Sequence, residues 1–257
     1  MNGRVLRFSD RGVRVIGRTL LRHLGNVGDL SADDRAAILD LDGEVRSYRR
    51  HEDIIKTGKA SGVSVVVIDG FLQRYANRRD GSRQILSFYI PTDAPSLESL
   101  HFDRADDNLC AVVPSKVGLV PHSDLHRLTR ERPNVMRLIW RSVAVQSCIY
   151  RQWLLRNSRL PADAAMAHLF CEIYTRCSAA GLVDGGSCGV PLTQEMLADA
   201  LGLTGVHVNR MLQTLRDKGA VDHKGGRLFV YDFKQLAHFA DFDPAYLHLD
   251  GKAPPRT

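Results

Sequence analysis

A chain of 257 residues has room for two modest domains of the usual size, and 44% hydrophobic with 25% charged residues is an ordinary globular composition, neither disordered nor collagen-like. The longest strongly apolar stretch, Val63 to Ile68, falls far short of the roughly 20 residues of a membrane helix, so no span and no membrane partner are expected. The net charge of +6 permits a polyanionic partner without proving one, and it is uneven: +8 on residues 1–160 against −2 on 161–257.

The N-terminus carries Arg4, Arg7, Arg11, Arg14 and Arg18 against Asp10. These arginines interrupt any apolar core of a secretory signal, so the segment reads as a basic arm leading into a helix from Val15. Five scattered cysteines, Cys110, Cys148, Cys171, Cys177 and Cys188, do not make the dense framework of a secreted domain, and the cytoplasm is the expected compartment.

Residues 15–42 read as helical, with Ser31 as N-cap of a helix through Ile38 and Leu39. Short β-rich runs then follow at close spacing: Val45–Tyr48, Ile54–Ile55, Val63–Ile68, Phe71–Tyr75, Gln84–Ile90, Cys110–Val113 and Lys116–Val120. With Gly58, Gly62, Asp69-Gly70 and Asp80-Gly81 between them, they predict a small β-barrel or roll. From Pro133, a favourable first helical residue, no Gly or further Pro occurs to about Arg156, enough for some six helical turns. Along it Leu138, Ser142, Val145, Ile149 and Trp153 recur at spacings of three and four. That is the seam of a helix pair, and the long helix at a domain edge points to a homodimer; the alternative is that the seam packs on its own β domain.

Past the hinge-like Asn157–Pro161, Met166, Leu169, Phe170, Ile173 and Cys177 form one apolar stripe, closed by a loop over Gly181–Pro191. Residues 192–213 then read L-T-Q-E-M-L-A-D-A-L-G-L-T-G-V-H-V-N-R-M-L-Q. A helix-turn-helix needs a small residue where the helices touch, a Gly in the turn and apolar residues facing the core. Ala198, Gly202 and the set Leu197, Leu201, Leu203, Val208 and Met211 meet these needs, and Thr193 and Thr204 can cap the two helices. Val221-Asp222-His223 and Leu228-Phe229-Val230 flank a Lys224-Gly225-Gly226-Arg227 turn, a hairpin that serves as a wing.

With the second helix in a major groove, Thr204, Gly205, Val206, His207, Asn209, Arg210 and Gln213 would face base edges. Arg210 can give two parallel donors to guanine, Asn209 or Gln213 can pair with adenine, and Val206 can touch a thymine methyl. Thr193, Lys224 and Arg227 complete the expected DNA contacts. The stretch 204–227 carries a local charge of +3, so the acids of the C-terminal part can point away from DNA.

The order of β-roll, long helix and winged helix-turn-helix, together with the motif above, resembles the Crp/Fnr family of bacterial transcriptional regulators over about residues 15–230. The resemblance implies an α+β chain divided into an arm, helices and cyclic-nucleotide-binding-like β-roll (1–132), a dimerisation helix and hinge (133–160), a winged helix-turn-helix (161–231) and a tail (232–257). It implies a homodimer on an inverted-repeat operator in double-stranded DNA, RNA polymerase as a partner, an unidentified small-molecule effector, and no enzyme activity. V-H-V-N-R-M-L-Q looks like a subgroup of the family without an assigned effector.

The departures from the family pattern are specific. Cyclic-nucleotide sensors use a Gly-Glu pair and an Arg-Ser or Arg-Thr pair on ribose and phosphate, whereas this chain reads Ala94-Pro95-Ser96-Leu97-Glu98 and Asp106-Asp107-Asn108-Leu109, whose acids would repel a phosphate. No Cys precedes Cys110, which removes the N-terminal ligands of the oxygen-sensing iron–sulfur branch. No cofactor or metal is therefore expected. The family's Arg-Glu pair in the reading helix is replaced by Gly205-Val206, so the operator sequence should differ. A cyclic-nucleotide response remains one alternative. A metal-dependent β-barrel enzyme is another, with His122 and His126 four apart and His101 and Glu98 nearby in sequence. Cys177, within an apolar stripe, reads as core rather than as a redox switch.

Overall fold

The structure, a computed structural model, describes residues 10–249. The expected contributions of Arg4 and Arg7 to a basic arm lie outside the described residues, as do the last residues of the tail. Two compact units form: one runs to Leu72 and resumes over Tyr89–Val143, the other takes Gln73–Phe88 and everything from Ala144 onward. The boundary falls inside the long helix, not at its start.

In the first unit, α1 (Asp10–Gly25) begins five residues before the expected Val15, so Arg14 and Arg18 stand on the exposed side of a helix whose inner side buries Ile16, Leu20 and Leu24. α2 (Ala32–Leu39) starts at a reciprocal capping box: Ser31 Oγ accepts from Asp34 N, and the Asp34 carboxylate accepts from Ser31 N, each at 3.1 Å. Asn134 Nδ2 also donates to Asp34 at 2.8 Å, and this bond holds its carboxyl below the usual range.

Strands β1 (Glu44–Tyr48), β2 (Asp53–Ile55) and β3 (Val63–Asp69) follow. Further on come β6 (Asn108–Ala111) and β7 (Ser115–Pro121), with β4 (Leu72–Asn77) and β5 (Arg83–Tyr89) between. An antiparallel sheet runs β1-β7-β3, and β2 pairs with β6. β3 is buried on both faces because both are covered. Val66 lies opposite Gly118, where a Cβ would run into Ile16 of α1, while Val65, Val67, Val117 and Leu119 turn the other way into a core with Tyr48, Leu72, Tyr89 and Leu109. A short 3-10 helix (Leu97–His101) and α3 (His122–Glu131) complete the unit before α4 (Pro133–Arg159).

The dimer seam expected on α4 requires correction. Leu138, Ser142, Ile149 and Trp153 are buried within the chain, and Val145 is half-buried. The reason is local. Gly28, lacking a Cβ, admits Leu138, and His23 Nε2 lies 2.6 Å from Ser142 Oγ. In the other unit Trp153 packs on Phe88 with ring centroids 5.8 Å apart and donates its indole N–H to Glu172. A seam already filled from inside the chain is not free for a second copy. The exposed large apolar residues of α4 are Trp140, Tyr150, Leu154 and Leu155 instead.

The second unit contains the β4–β5 hairpin and is built around α5 (Ala162–Ala179), which is buried along most of its length. Then come β8 (Ser187–Gly189), α6 (Gln194–Leu201), α7 (Gly205–Asp217), β9 (Val221–Lys224), β10 (Arg227–Val230), α8 (Phe233–Phe239) and a 3-10 turn at Pro244–Leu247. The expected two-stranded wing is a three-stranded sheet, β8-β10-β9, whose extra strand comes from the Gly181–Pro191 loop.

Candidate nucleic-acid interface

The local signals that shape the helix-turn-helix are each visible. Thr193 Oγ1 accepts from Met196 N at 3.2 Å and starts α6; Thr204 Oγ1 accepts from His207 N at 3.4 Å and starts α7. Gly202 closes α6 in the left-handed conformation at φ 66°, which only glycine adopts without strain. Met196, Leu197, Ala198, Ala200 and Leu201 from α6, and Val208, Met211 and Leu215 from α7, are buried together. This inner face fixes the rotation of α7 and therefore what it turns outward.

Outward stand Thr204, Gly205, Val206, His207, Asn209, Arg210 and Gln213, all exposed, with Val206 at 81% of its full accessibility. Among the described residues the Arg210 guanidinium has no hydrogen-bond or ion-pair partner, so its fork is open to a ligand. Gln213 is different. Its amide nitrogen Nε2 donates to Asp217 at 2.7 Å and its Oε1 accepts from Arg216 at 3.3 Å, so pairing with adenine would break both bonds. Arg216 Nε also donates to Asp222 at 3.0 Å, and Lys224 Nζ sits 3.3 Å from the same carboxylate. Asp222 is held below the usual carboxylate range by these two cations despite its partial burial.

At the wing, Arg227 Nη2 donates to Ser187 Oγ at 2.7 Å, anchoring it to β8, while Lys224 lies exposed at the turn over the Phe229 ring. Thr193 is half-buried and spends its hydroxyl on the cap of α6. Two links were not anticipated from sequence: the Arg216–Asp222 pair joining α7 to the wing, and Arg83 of β5, whose Nε and Nη2 both reach Asp199 of α6, at 2.7 and 2.6 Å. Neither spacing, 6 and 116 residues, falls on any helical or hairpin repeat.

The other candidate centres are less organised. His122 opens α3, its Nε2 is 3.1 Å from Ser99 Oγ, and burial lowers its pKa. The His101 and His126 rings meet edge-on at 6.3 Å. Among the described residues no group of three or more His, Cys, Asp or Glu side chains is placed to hold a metal ion. Asn108, at the start of β6, accepts from Thr57 N at 3.1 Å and so belongs to the loop scaffold. Cys171 and Cys177 are buried, and burial pushes the Cys171 thiol up.

The family model for the Crp-like helix-turn-helix domain matches residues 164–239. The transcriptional activator protein FnrL of Cereibacter sphaeroides is 25% identical over 205 residues, 77% of this chain and 81% of that protein. The nitrogen fixation regulation protein FixK of Bradyrhizobium diazoefficiens is 29% identical over 170 residues, 65% of this chain and 69% of that protein. Among solved structures, FixK2 from Bradyrhizobium japonicum superposes with a TM-score of 0.68 at 24% identity, covering 77% of this chain and 98% of that one.

Proposed function

Because residues 164–239 match the Crp-like helix-turn-helix model and the chain is similar over most of its length to Fnr- and FixK-type regulators, we propose that it is a transcription regulator of the Crp/Fnr family, that α7 is its reading helix and that Arg210 is the principal base contact. The observation that carries this is the open guanidinium of Arg210 beside exposed Asn209 and Val206, on a helix whose only acid is its last residue, Asp217. Thr204 and Gly205 at the helix start bring exposed backbone amides to a phosphate, and His207 stands next to them. Lys224 and Arg227 on the wing add phosphate contacts. Gln213 contributes by holding Arg216 and Asp217, not by reading a base.

The regulator acts as a homodimer. The face of α4 that supports this is Trp140, Val143, Ser147, Tyr150 and Leu154, at spacings of three, four, three and four, with Trp140 and Leu154 among the most exposed large apolar residues of the chain. Two copies would place two α7 helices on an inverted repeat.

The working compartment is the cytoplasm, where the operator and RNA polymerase are. No helix among the described residues is long and apolar enough to cross a membrane. The chain is read as a regulator without catalysis or a bound cofactor, answering to an effector other than a cyclic nucleotide, since Asp107 and Asn108 stand where the family's phosphate-binding Arg and hydroxyl are expected. Selection of bound sequences from random duplex DNA tests the reading. An inverted repeat with a guanine in each half-site is the expected result; no enrichment over random sequence would overturn it.

A further inference from the structure

The second unit buries an unusual amount of charge. Arg156, in the last turn of α4, is 1% exposed, the largest fully buried side chain among the described residues. Its Nε donates to Asn157 Oδ1 at 3.1 Å and its guanidinium stacks on Trp153 at 4.2 Å, but Nη1 and Nη2 have no hydrogen-bond partner. Burial lowers its pKa to about 10, which still leaves it charged near neutrality.

The carboxylate that should balance it is already committed. Glu172, fully buried on α5, accepts from Trp153 Nε1 at both oxygens (3.1 and 3.0 Å), from Arg176 Nη1 at Oε1 (3.5 Å) and from Tyr246 O–H at Oε2 (2.9 Å). Two carboxylate oxygens offer about four lone-pair sites, so none remains for Arg156. Among the buried groups of the cluster two arginines, Arg156 and Arg176, thus face one carboxylate, Glu172, while the exposed Asp241 acts on His168 from the surface. His168, on the same face of α5 as Glu172, does not help: it is buried, held neutral with a pKa near 4, and its Nδ1 also lacks a partner.

We propose that the buried, unpartnered Nη1 and Nη2 of Arg156 bind one small monovalent anion, a halide or a short carboxylate. A buried cation without a counter-charge costs several kcal/mol, and a guanidinium fork is shaped for a two-oxygen or single-ion acceptor. A water molecule would fill the donors but not the charge. The anion joins the end of α4 to α5 and to the C-terminal turn that carries Tyr246, and it is remote in sequence from the reading helix.

The test follows thermal unfolding of the full chain in sodium bromide, sodium acetate and sodium gluconate at one ionic strength, gluconate being too bulky for the site. Wild-type Tm should exceed its gluconate value by a few degrees once the small anion is about a hundredfold above its Kd. A response to bromide alone identifies a halide site, and to acetate alone a carboxylate site. Arg156→Met, which keeps an unbranched stem against Trp153, should lose the difference; equal anion responses in the two proteins would overturn the proposal. Should that variant fail to fold, wild-type crystals soaked in bromide decide. An anomalous peak within hydrogen-bond reach of Nη1 and Nη2 supports the site, and water there with bromide only on the surface refutes it.

Discussion

Arg83 of β5 closes on Asp199 of α6 through two N–H groups, at 2.6 and 2.7 Å, with both side chains about one-quarter exposed. Gln84 adds a donor to the Asp199 carbonyl at 2.7 Å. The β4–β5 hairpin is therefore fastened to the first helix of the helix-turn-helix, which packs against α7. Arg83→Ala should lower the unfolding free energy by about 1–2 kcal/mol, the range for a partly screened, charge-assisted pair. Urea denaturation measures this, and a loss below a few tenths would show that the pair is ornamental in solution.

The two faces of α4 make opposite predictions. Trp140→Asp with Leu154→Asp should give a folded chain whose mass by light scattering falls to that of one copy, with DNA affinity falling alongside. Ile149→Asp should instead destabilise the chain itself by about 3–5 kcal/mol, since it places an unpaired charge in a site only 5% exposed. A dimer that survives the first pair of substitutions would move the interface elsewhere.

Much of this was legible in the sequence because the signals are local. Thr193, Gly202 and Thr204 act within four residues of themselves, so caps and turn could be placed by spacing alone. The same holds for Ser31 and its capping box. What periodicity could not give was the partner of a face. Leu138, Ser142, Ile149 and Trp153 do form an apolar stripe, but it meets Gly28, His23 and Phe88, which lie 65 to 119 residues away, and an apolar seam looks alike whether it is filled by its own chain or by another. Gln213 illustrates a related limit of spacing. Its exposure was predictable; its ties to Asp217 and Arg216 depend on rotamers.

A pH dependence follows from His168. Burial first, and the Arg156 charge second, lower its pKa from 6.5 to about 4, against weaker opposing contributions from Glu172 and Asp241. The unfolded chain therefore binds a proton that the folded one refuses. The stabilisation is complete above pH 6.5 and is lost as pH falls toward 4, by roughly 3 kcal/mol for a shift of this size. His168→Phe, which can keep the contacts with Phe242 and Tyr246, should flatten this part of the profile. Parallel urea titrations of the two proteins at pH 7 and pH 4.5 give the comparison, and equal slopes would reassign the acid sensitivity to other groups.

The reading helix makes the sharpest claim. Two Arg210 side chains related by the dimer axis should enter successive major grooves, so the half-sites should lie about 34 Å apart, one helical turn. Because the Arg210 fork is unengaged in the free chain, binding guanine breaks no existing bond, and Arg210→Ala should cost roughly 1–3 kcal/mol per half-site while relaxing preference at that base pair. Lys224 is already paired with Asp222 at 3.3 Å and makes no base contact of its own, so Lys224→Ala should weaken all sequences alike and flatten the salt dependence. Gln213→Ala should act differently again: it frees Arg216 and Asp217, altering affinity without changing which base is preferred. Equilibrium binding to a selected operator and its single-base variants, at two salt concentrations, separates the three behaviours. If Arg210→Ala leaves both affinity and base preference unchanged, α7 is not the reading helix.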